Sequence, residues 1–326
     1  TFQNSKIDNI VIPDTVTYIG KDAFAKSYIS SIELGHGISE ISEGCFAFTS
    51  YLKEIIIPNS IIRINGDSFV YSNIENVYFE ENSTLQSIGG SSFANSNIKI
   101  INLPSSVTLI GENAFYKSNL STFNILEDSN LVNITSSAFE YTNISYIYLP
   151  SKLITIGSFA FSSTNLVEVT IPASIINYDP SAFASCHYLE NIFVEEENDY
   201  YLDIDGVVYA KDLKTIHEYP AGKKVTNYTI LSTVEKIGEH AFYGSWNLNN
   251  VVLSDILIEV DEYGFYDCIN MTSYYLPETL QVIQRYAFAN NISLSGLDIP
   301  DSVIQISNCA FKNNYNMSYV NLSDNS

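Results

Sequence analysis

Hydrophobic residues recur along the chain in a block that ends in the pattern Ile-x-x-x-Ala-Phe. Residues 107–115 show the pattern in full, with Ile110, Ala114 and Phe115 at its defining positions. Successive copies lie 22 to 24 residues apart, except for one interval of 59 residues. A fixed period of this length predicts a solenoid of stacked repeats. The phenylalanines that end the pattern are Phe24, Phe46, Phe69, Phe93, Phe115, Phe139, Phe161, Phe183, Phe242, Phe265, Phe288 and Phe311.

Each block predicts two extended pieces followed by a turn. In residues 98–119, apolar and variable residues alternate from Ile98 to Leu103, which is the period of a β-strand. A second, shorter extended piece ends at Ile110, and we expect a helical or 3₁₀ turn with the Ala-Phe pair to bring the chain back. Because proline cannot donate a ladder hydrogen bond, the first strand should end where proline recurs. These prolines are Pro13, Pro58, Pro104, Pro150, Pro172, Pro277 and Pro300.

Two columns of residues specify a packed interior. The residue five positions before the phenylalanine is isoleucine in every copy except two, where it is Tyr178 or Val260. The residue immediately before the phenylalanine is always small. A large ring beside a small neighbour is what interdigitated packing of stacked coils requires, so we assign this column to the core.

The long interval between Phe183 and Phe242 predicts an enlarged repeat over residues 189–227. Asp205-Gly206 between two apolar runs indicates a hairpin, and residues 211–214 indicate a second polar turn. A third short strand follows from Thr215 to Tyr219. The interval is therefore expected to hold a β-meander within the repeat array.

These motifs resemble the BspA-like, or treponemal-type, leucine-rich repeats. The resemblance rests on the repeated Ile-x-Leu-Pro…Val-x-x-Ile-Gly-x-x-Ala-Phe pattern and on the segment from Asp205 to Lys223, and it covers essentially the whole chain. It implies a single β-rich solenoid over 1–326, in the α/β class of leucine-rich repeats. The implied form is a right-handed superhelix with a concave parallel sheet, in about 13 coils plus the enlarged repeat. It also implies a surface or secreted protein of a host-associated microbe, often linked to adhesion, without a shared catalytic site.

Composition restricts the partners. Fifteen basic and 37 acidic residues give a net charge of −22 at pH 7. Binding to phosphate requires lysine and arginine, so nucleic acid and anionic membrane surfaces are poor partners. No apolar run approaches the roughly 20 residues that span a bilayer, so we expect no direct membrane insertion. The chain begins and ends inside repeats, which is typical of an excised ectodomain. The acidity serves solubility, or it recognises a basic partner.

Residues that could carry catalysis or bind metal are scattered. The four histidines do not form a known catalytic motif, and the four cysteines lie in separate repeats, where we expect buried free thiols. The Asp203-x-Asp205-Gly206 sequence superficially resembles a calcium loop but lacks its remaining ligands, so a hairpin turn is favoured. Glu195–Glu197 is interpreted as a solvated bulge, with docking of a basic partner as the alternative. The sequence predicts no enzyme, cofactor or metal.

The variable positions of the first strand offer a candidate binding face. Alternation directs them away from the core, and several of them are large aromatic residues. One interpretation is that these side chains only serve strand propensity and cross-strand stacking. The other is a protein-binding surface, because tyrosine is a frequent interface anchor. The residues concerned are Tyr78, Tyr148, Phe193 and Tyr275, with Tyr146 and Tyr319 nearby.

Nine Asn-x-Ser/Thr sequons are present, and they fall into two groups. Four belong to a column of asparagines before the first strand, where stacked amides can satisfy turn backbone groups. Those four (Asn119, Asn143, Asn270 and Asn316) are interpreted as structural. The remaining five fall off the column and are the predicted glycosylation sites: Asn82, Asn133, Asn227, Asn291 and Asn321.

Two functional classes follow. The first is a non-enzymatic adhesion or protein-binding module, on the cell surface or secreted, that binds a host or cell-surface protein. The second is a structural scaffold inside the cell or in a coat, with accidental sequons.

Overall fold

A computed structural model describes residues 1–322, and the fold is that of a parallel β-solenoid, with about 14 turns in all. Each ordinary coil has up to two short strands, as the alternation pattern predicts. The strands are β1 (Asn9–Val11), β2 (Ser31–Glu33), β3 (Glu40–Ile41), β4 (Glu54–Ile57), β5 (Arg63–Ile64), β6 (Asn76–Phe79), β7 (Ser87–Ile88), β8 (Ile100–Asn102), β9 (Leu109–Ile110), β10 (Thr122–Asn124), β11 (Asn133–Ile134), β12 (Thr155–Ile156), β13 (Glu168–Ile171), β14 (Asn177–Tyr178), β15 (Asn191–Val194), β16 (Tyr201–Ile204), β17 (Val207–Ala210), β18 (Thr215–Glu218), β19 (Asn227–Thr229), β20 (Lys236–Ile237), β21 (Asn250–Val252), β22 (Glu259–Val260), β23 (Val282–Ile283), β24 (Gly296–Ile299), β25 (Gln305–Ile306) and β26 (Tyr319–Leu322).

The chain divides into two compact units. Unit 1 comprises Thr1–Asn165 and Ser174–Ala182, and unit 2 comprises Leu166–Ala173 and Phe183–Ser326. A single solenoid over 1–326 therefore stays a prediction.

Unit 1 has two kinds of parallel sheet. First strands form the β1–β2 pair and the four-stranded sheet β10-β8-β6-β4, which we call first sheets. Second strands form one seven-stranded sheet, β14-β12-β11-β9-β7-β5-β3, which we call the second sheet. Equivalent residues pair directly, as Ile55 does with Val77 and Ile64 with Ile88. This register keeps every apolar column facing the interior.

Unit 2 repeats this plan around the enlarged repeat. Its first sheets are the pairs β13–β15, β19–β21 and β24–β26, and its second sheet has the order β16-β17-β18-β20-β22-β23-β25. Strands β16, β17 and β18 are antiparallel, and β18 then pairs in parallel with β20. The predicted meander is thus confirmed, and it extends the second sheet.

The prediction of a helical or 3₁₀ turn on the third side of the coil is wrong. None of residues 1–322 lies in a helix, because the Ala-Phe segment forms consecutive hydrogen-bonded turns. Alternate amides close turns within the coil, as Glu140 N does on Ser137 O, while Phe139 N donates to Ala160 O of the next coil at 2.8 Å. Ser137 and Tyr141, two positions on either side of Phe139, have φ of 53° and 59°. This left-handed backbone lets every second amide point along the stack, which a helix cannot do.

The phenylalanine column is the centre of the core. In unit 1 the rings from Phe2 to Phe161 stack with centroids 5.0 to 5.4 Å apart. Phe2, 22 residues before Phe24, is an additional member that the pattern analysis missed. In unit 2, Tyr219 takes the place of phenylalanine in the enlarged repeat, with its ring 5.0 Å from that of Phe242.

The cysteine prediction holds for three residues and fails for one. Cys45, Cys186 and Cys268 are buried free thiols, whereas Cys309 is exposed. The difference follows from position in the coil. Cys45 precedes the phenylalanine and the other two buried cysteines follow it by three residues, and both positions face inward. Cys309 lies two residues before Phe311, at a left-handed turn position that faces outward.

Close approach between coils explains one of the glycines that follow the isoleucine. A Cβ added at Gly111 would lie 2.7 Å from Gly90 N and 2.8 Å from Gly89 C, both backbone atoms of the preceding coil. We expect Gly111→Ala to lower the free energy of unfolding by about 1–3 kcal/mol, because the backbone must shift to accommodate it. Gly20→Ala is the matched control, since its Cβ would meet nothing nearer than Tyr18 Cε1 at 3.8 Å. Urea unfolding that gives equal losses for both variants would contradict this account.

Candidate protein-binding surfaces

The outward positions of the first sheets place large apolar side chains in solvent, as alternation predicts. In unit 1, Tyr78 on β6 pairs in register with Ile56 on β4. The side chains are 50% and 58% exposed, although their neighbours Val77 and Ile55 are buried. The two adjacent strands therefore place two large apolar side chains next to each other in solvent.

The second aromatic pair of unit 1 is separate from this patch. Tyr146 is 65% exposed and Tyr148 is half-buried, and neither lies in a strand. Asn102 and Asn124 occupy the repeat positions between Tyr78 and Tyr148, with Asn124 Nδ2 donating to Asn102 Oδ1 at 2.8 Å. Three inter-strand steps of about 4.8 Å separate the two tyrosines, so they do not form one contact site.

In unit 2 the predicted aromatic residues also lie in separate places. Phe193 on β15 is exposed and pairs with Thr170 on β13. Tyr319 on β26 pairs with Gly296 on β24, and its ring covers that glycine closely enough to exclude any side chain there. Tyr319 therefore has a packing role as well as an exposed surface.

Tyr275 differs from the other predicted residues because it borders a cavity. Its side chain is 80% exposed, and it lines a cavity of about 280 Å³ together with Glu278, Asp298 and Asn321. Asn321 Nδ2 donates to Asp298 Oδ1 at 2.7 Å, which fixes one carboxylate oxygen at the wall. We call this the tyrosine cavity.

A second cavity, which sequence reasoning missed, shares Glu278 with the first. It measures about 620 Å³ and we call it the isoleucine cavity. Its apolar wall comprises Ile256, Ile258 and Ile304, all of which are exposed, and Thr279 and Gln281 contribute to the polar side. Ile256 and Ile258 flank buried Leu257, so alternation in the second extended piece could have identified them.

Aromatic side chains also gather at the turns of unit 2, but they face each other. Tyr263 stacks on Tyr286 with centroids 5.1 Å apart, and Tyr243 stacks on Tyr266 at 4.9 Å. The guanidinium of Arg285 lies 4.9 Å from the centroid of Tyr286. The rings are thus used for contacts between coils, which leaves mainly their edges to solvent.

Charged side chains bridge the coils at the edges of the first sheets in unit 1. Glu75 accepts from Lys53 Nζ at 2.9 Å and from Lys99 Nζ at 2.6 Å. These two ammonium groups, Lys99 foremost, lower the pKa of Glu75 to about 2. His36 Nε2 lies 3.0 Å from Glu80 Oε2, and that carboxylate raises the pKa of His36. Both sets link successive coils on an exposed surface.

Several asparagines of the column before the first strand form hydrogen bonds between successive coils, as predicted. Asn119 Nδ2 donates to Asn97 Oδ1 at 2.9 Å, and Asn97 Nδ2 donates to Asn73 Oδ1 at 3.0 Å. Asn270 Nδ2 donates to Trp246 O at 2.7 Å. These amides therefore tie successive turns together.

The five predicted glycosylation sites lie in different environments. Asn82, Asn227 and Asn321 are exposed, and Asn133 is half-buried on β11. Asn291 is fully buried, and its carboxamide donates to Tyr274 Oη at 3.1 Å. A glycan needs an accessible carboxamide nitrogen, so the prediction for Asn291 is wrong for the folded chain.

In the loop that resembles a calcium site, both carboxylate oxygens of Asp203 accept hydrogen bonds from backbone N–H groups. Asp203 Oδ1 accepts from Val194 N at 2.8 Å, and Oδ2 accepts from Gly206 N at 3.3 Å. Within residues 1–322, no group of three or more histidine, cysteine or acidic side chains is arranged to hold a metal ion. The same part of the chain has no helix that is long and apolar enough to cross a membrane.

Stacked parallel coils with inward columns of isoleucine, leucine and phenylalanine define a leucine-rich repeat protein. The family model for the BspA type leucine rich repeat region matches residues 1–122, 82–190 and 210–326, in six copies. The chain therefore belongs to the BspA-type leucine-rich repeat family. The family and fold are those of repeat modules that mediate protein–protein interactions.

Solved structures share the fold at low sequence identity. The pneumococcal vaccine antigen PcpA is 23% identical with a TM-score of 0.69, over 98% of this chain and 73% of PcpA. A leucine-rich cell surface protein from Faecalibacterium prausnitzii is 21% identical with a TM-score of 0.66, over 98% and 88% of the two chains. A leucine-rich repeat protein from Bacteroides ovatus is 25% identical with a TM-score of 0.55, over 96% and 86%. Among curated proteins, no sequence matches the chain.

Proposed function

We propose that this chain is a non-enzymatic binding module, on a cell surface or secreted, that attaches to a host or cell-surface protein through the outward side of its first sheets. The observation that carries the proposal is the exposure of large apolar side chains at the outward positions of the first extended pieces. Ile56 on β4 is 58% exposed, and Tyr275, in an equivalent piece that forms no strand, is 80% exposed. Burying such side chains against a partner is favourable, and tyrosine is enriched among interface residues that dominate affinity. The similarity to a protein described as a cell surface protein supports the location.

Variants in each unit test the binding face. We expect Tyr78→Ser with Tyr148→Ser, or Phe193→Ser with Tyr275→Ser, to reduce capture of a partner from surface-biotinylated host cells at least tenfold. Loss of one well-packed aromatic anchor costs about 2 kcal/mol or more in binding. Thermal unfolding should be nearly unchanged, because the side chains are exposed or half-buried. The control is Tyr18→Ser with Tyr188→Ser, which removes two other exposed tyrosines. Equal capture by all variants would show that this face is not the site.

Location requires a separate measurement. Antibody raised against this chain should stain unpermeabilised cells of the organism that makes it. Staining that needs permeabilised cells would overturn the surface assignment and favour the intracellular scaffold. A stained surface without any captured protein would leave the location intact and overturn the binding proposal.

A further inference from the structure

We propose that the tyrosine cavity and the isoleucine cavity of unit 2 together bind an extended peptide segment of the partner that carries an arginine or lysine close to an aliphatic residue. The inference rests on the proposed function and specifies the chemistry of its partner. Both cavities lie within unit 2, and they meet at Glu278. One short segment can therefore contact both.

The tyrosine cavity has the features of a site for a cationic side chain. Glu278 and Asp298 supply two carboxylates, and the Tyr275 ring stands beside them with most of its surface in solvent. A guanidinium group fits this arrangement, because it pairs with carboxylates through several N–H donors and also stacks on aromatic faces. Asn321 holds Asp298 in place through the 2.7 Å hydrogen bond to Oδ1.

Several other outward aromatic rings of the chain have a lysine over them, which Tyr275 lacks. Lys26 Nζ lies 5.3 Å from the centroid of Phe48, and Lys117 Nζ lies 5.0 Å from the centroids of both Tyr116 and Tyr141. In these cases the chain covers its own ring with a cation. The described residues that line the tyrosine cavity include no lysine or arginine. A cation from a partner would complete the same contact, which is favourable even at exposed sites.

The wider charge distribution favours the same occupant. Between Ile237 and Phe311 the sequence has a single lysine or arginine, Arg285, among many acidic residues. Arg285 lies over Tyr286 at the turns, with its Nε 3.6 Å from Glu262. It therefore contributes to the turn side and not to either cavity lining. Like charges in a cleft raise the local concentration of an oppositely charged ligand.

The isoleucine cavity supplies the apolar half of the site. Ile304 is 80% exposed, and Ile256 and Ile258 stand on the same wall. An aliphatic side chain from a peptide would cover them and remove apolar surface from water. Residues i and i+2 of an extended peptide point the same way about 7 Å apart, and Glu278 borders both cavities. A basic and an aliphatic residue with this spacing is the predicted recognition element.

The test is selection from a random nonapeptide library displayed on phage, with the whole chain immobilised. We expect enriched peptides to have arginine or lysine within three positions of isoleucine, leucine or valine. For a selected peptide labelled with fluorescein, Glu278→Gln with Asp298→Asn should raise the Kd measured by anisotropy about tenfold or more. The two substitutions remove the charge-assisted hydrogen bonds to the cation, and a tenfold rise in Kd corresponds to about 1.4 kcal/mol. Ile304→Ser should weaken the same peptide, and added salt should weaken binding to the wild-type chain.

The matched control is Glu127→Gln with Asp128→Asn, which removes two exposed acidic charges from unit 1. It should leave the Kd within about twofold, because neither residue lines the tyrosine cavity or the isoleucine cavity. Enrichment without basic residues, or equal weakening by the control pair, would overturn the inference. So would self-association of the wild-type chain that the Glu278→Gln/Asp298→Asn variant abolishes, because the occupant would then be a second copy.

Failure of the inference and failure of the proposed function give different results. If host-cell capture persists in the Glu278→Gln/Asp298→Asn variant, the binding module stands and the partner chemistry assigned to these cavities falls. If selected basic peptides bind as expected but no surface protein is captured, the cavities keep their assignment and the cell-surface adhesion role falls.

Discussion

Phe139→Ala is expected to lower the free energy of unfolding of the chain by about 3–5 kcal/mol, the usual cost of removing a buried phenylalanine ring. Phe139 is fully buried. Its ring lies between those of Phe115 at 5.3 Å and Phe161 at 5.1 Å, with Phe123 edge-on at 4.8 Å. The backbone on both sides is tied to neighbouring coils, so the space left by the ring cannot close. Urea unfolding followed by circular dichroism measures the loss.

The control for Phe139 lies two residues away in the same turn. Tyr141 is 49% exposed, and Lys117 stands over its ring. Tyr141→Ala should cost about 1 kcal/mol or less, since it removes an exposed ring with its cation contact and its edge contact to Tyr116. Because each repeat contacts only its neighbours, faster amide exchange in Phe139→Ala should concentrate in the adjacent coils. A loss no larger than that of Tyr141→Ala would show that the column is not a rigid core.

The repeat period allowed much of the fold to be predicted, because period-2 alternation and a fixed spacing determine which residues can stack. The columns at Ile110, Ala114 and Phe115 and the meander after Asp205 follow from that reasoning. A first strand ends just before five of the seven prolines, but none is formed before Pro150 or Pro277. The prediction of a helical or 3₁₀ return turn was wrong for a physical reason. Left-handed φ at residues such as Ser137 and Tyr141 has no signature in the sequence, since neither is glycine.

The candidate site was less predictable because it depends on neighbouring columns. Alternation along the first extended piece identified Tyr275 as outward, and its side chain is exposed although this piece forms no strand. It could not show that the side chains of Asn102 and Asn124 bond to each other, or that Glu278 lines two cavities. Those facts depend on which side chains of successive coils meet, and repeats of 22 to 24 residues shift these contacts from coil to coil.

The sequon at Asn291 shows how burial changes the meaning of a motif. Asn291 Oδ1 accepts from Cys268 N at 2.8 Å, and Nδ2 donates to Tyr274 Oη at 3.1 Å and to Phe288 O at 3.2 Å. Its own backbone N donates to Asn314 Oδ1 at 2.8 Å. Asn291 thus continues inside unit 2 the inward position that Cys268 occupies one coil earlier. Burial raises the pKa of Tyr274 well above its usual value, so its hydroxyl stays neutral and can accept this bond.

Asn291→Ala is therefore expected to destabilise the chain by about 2–4 kcal/mol. The buried Cys268 amide would lose its acceptor, which costs about 1–3 kcal/mol, and the missing carboxamide would leave a cavity that adds to the loss. Differential scanning calorimetry and urea unfolding give the size of the effect. The hydrogen bond from the backbone N of Asn291 to Asn314 Oδ1 should survive, because the substitution removes only the side chain.

Asn227→Ala provides the comparison, because Asn227 is also a sequon asparagine. It is exposed, and its side chain donates to the adjacent Thr226 Oγ1 at 3.1 Å. Its stability should change by no more than about 0.5 kcal/mol, as for ordinary surface substitutions. After expression in a host that attaches N-glycans, mass spectrometry of the folded chain should find Asn291 unmodified, since a glycan there would have to displace the contacts to Tyr274 and Cys268. A glycan on Asn291 in folded protein, or equal stability of the two alanine variants, would contradict the structural role of this asparagine.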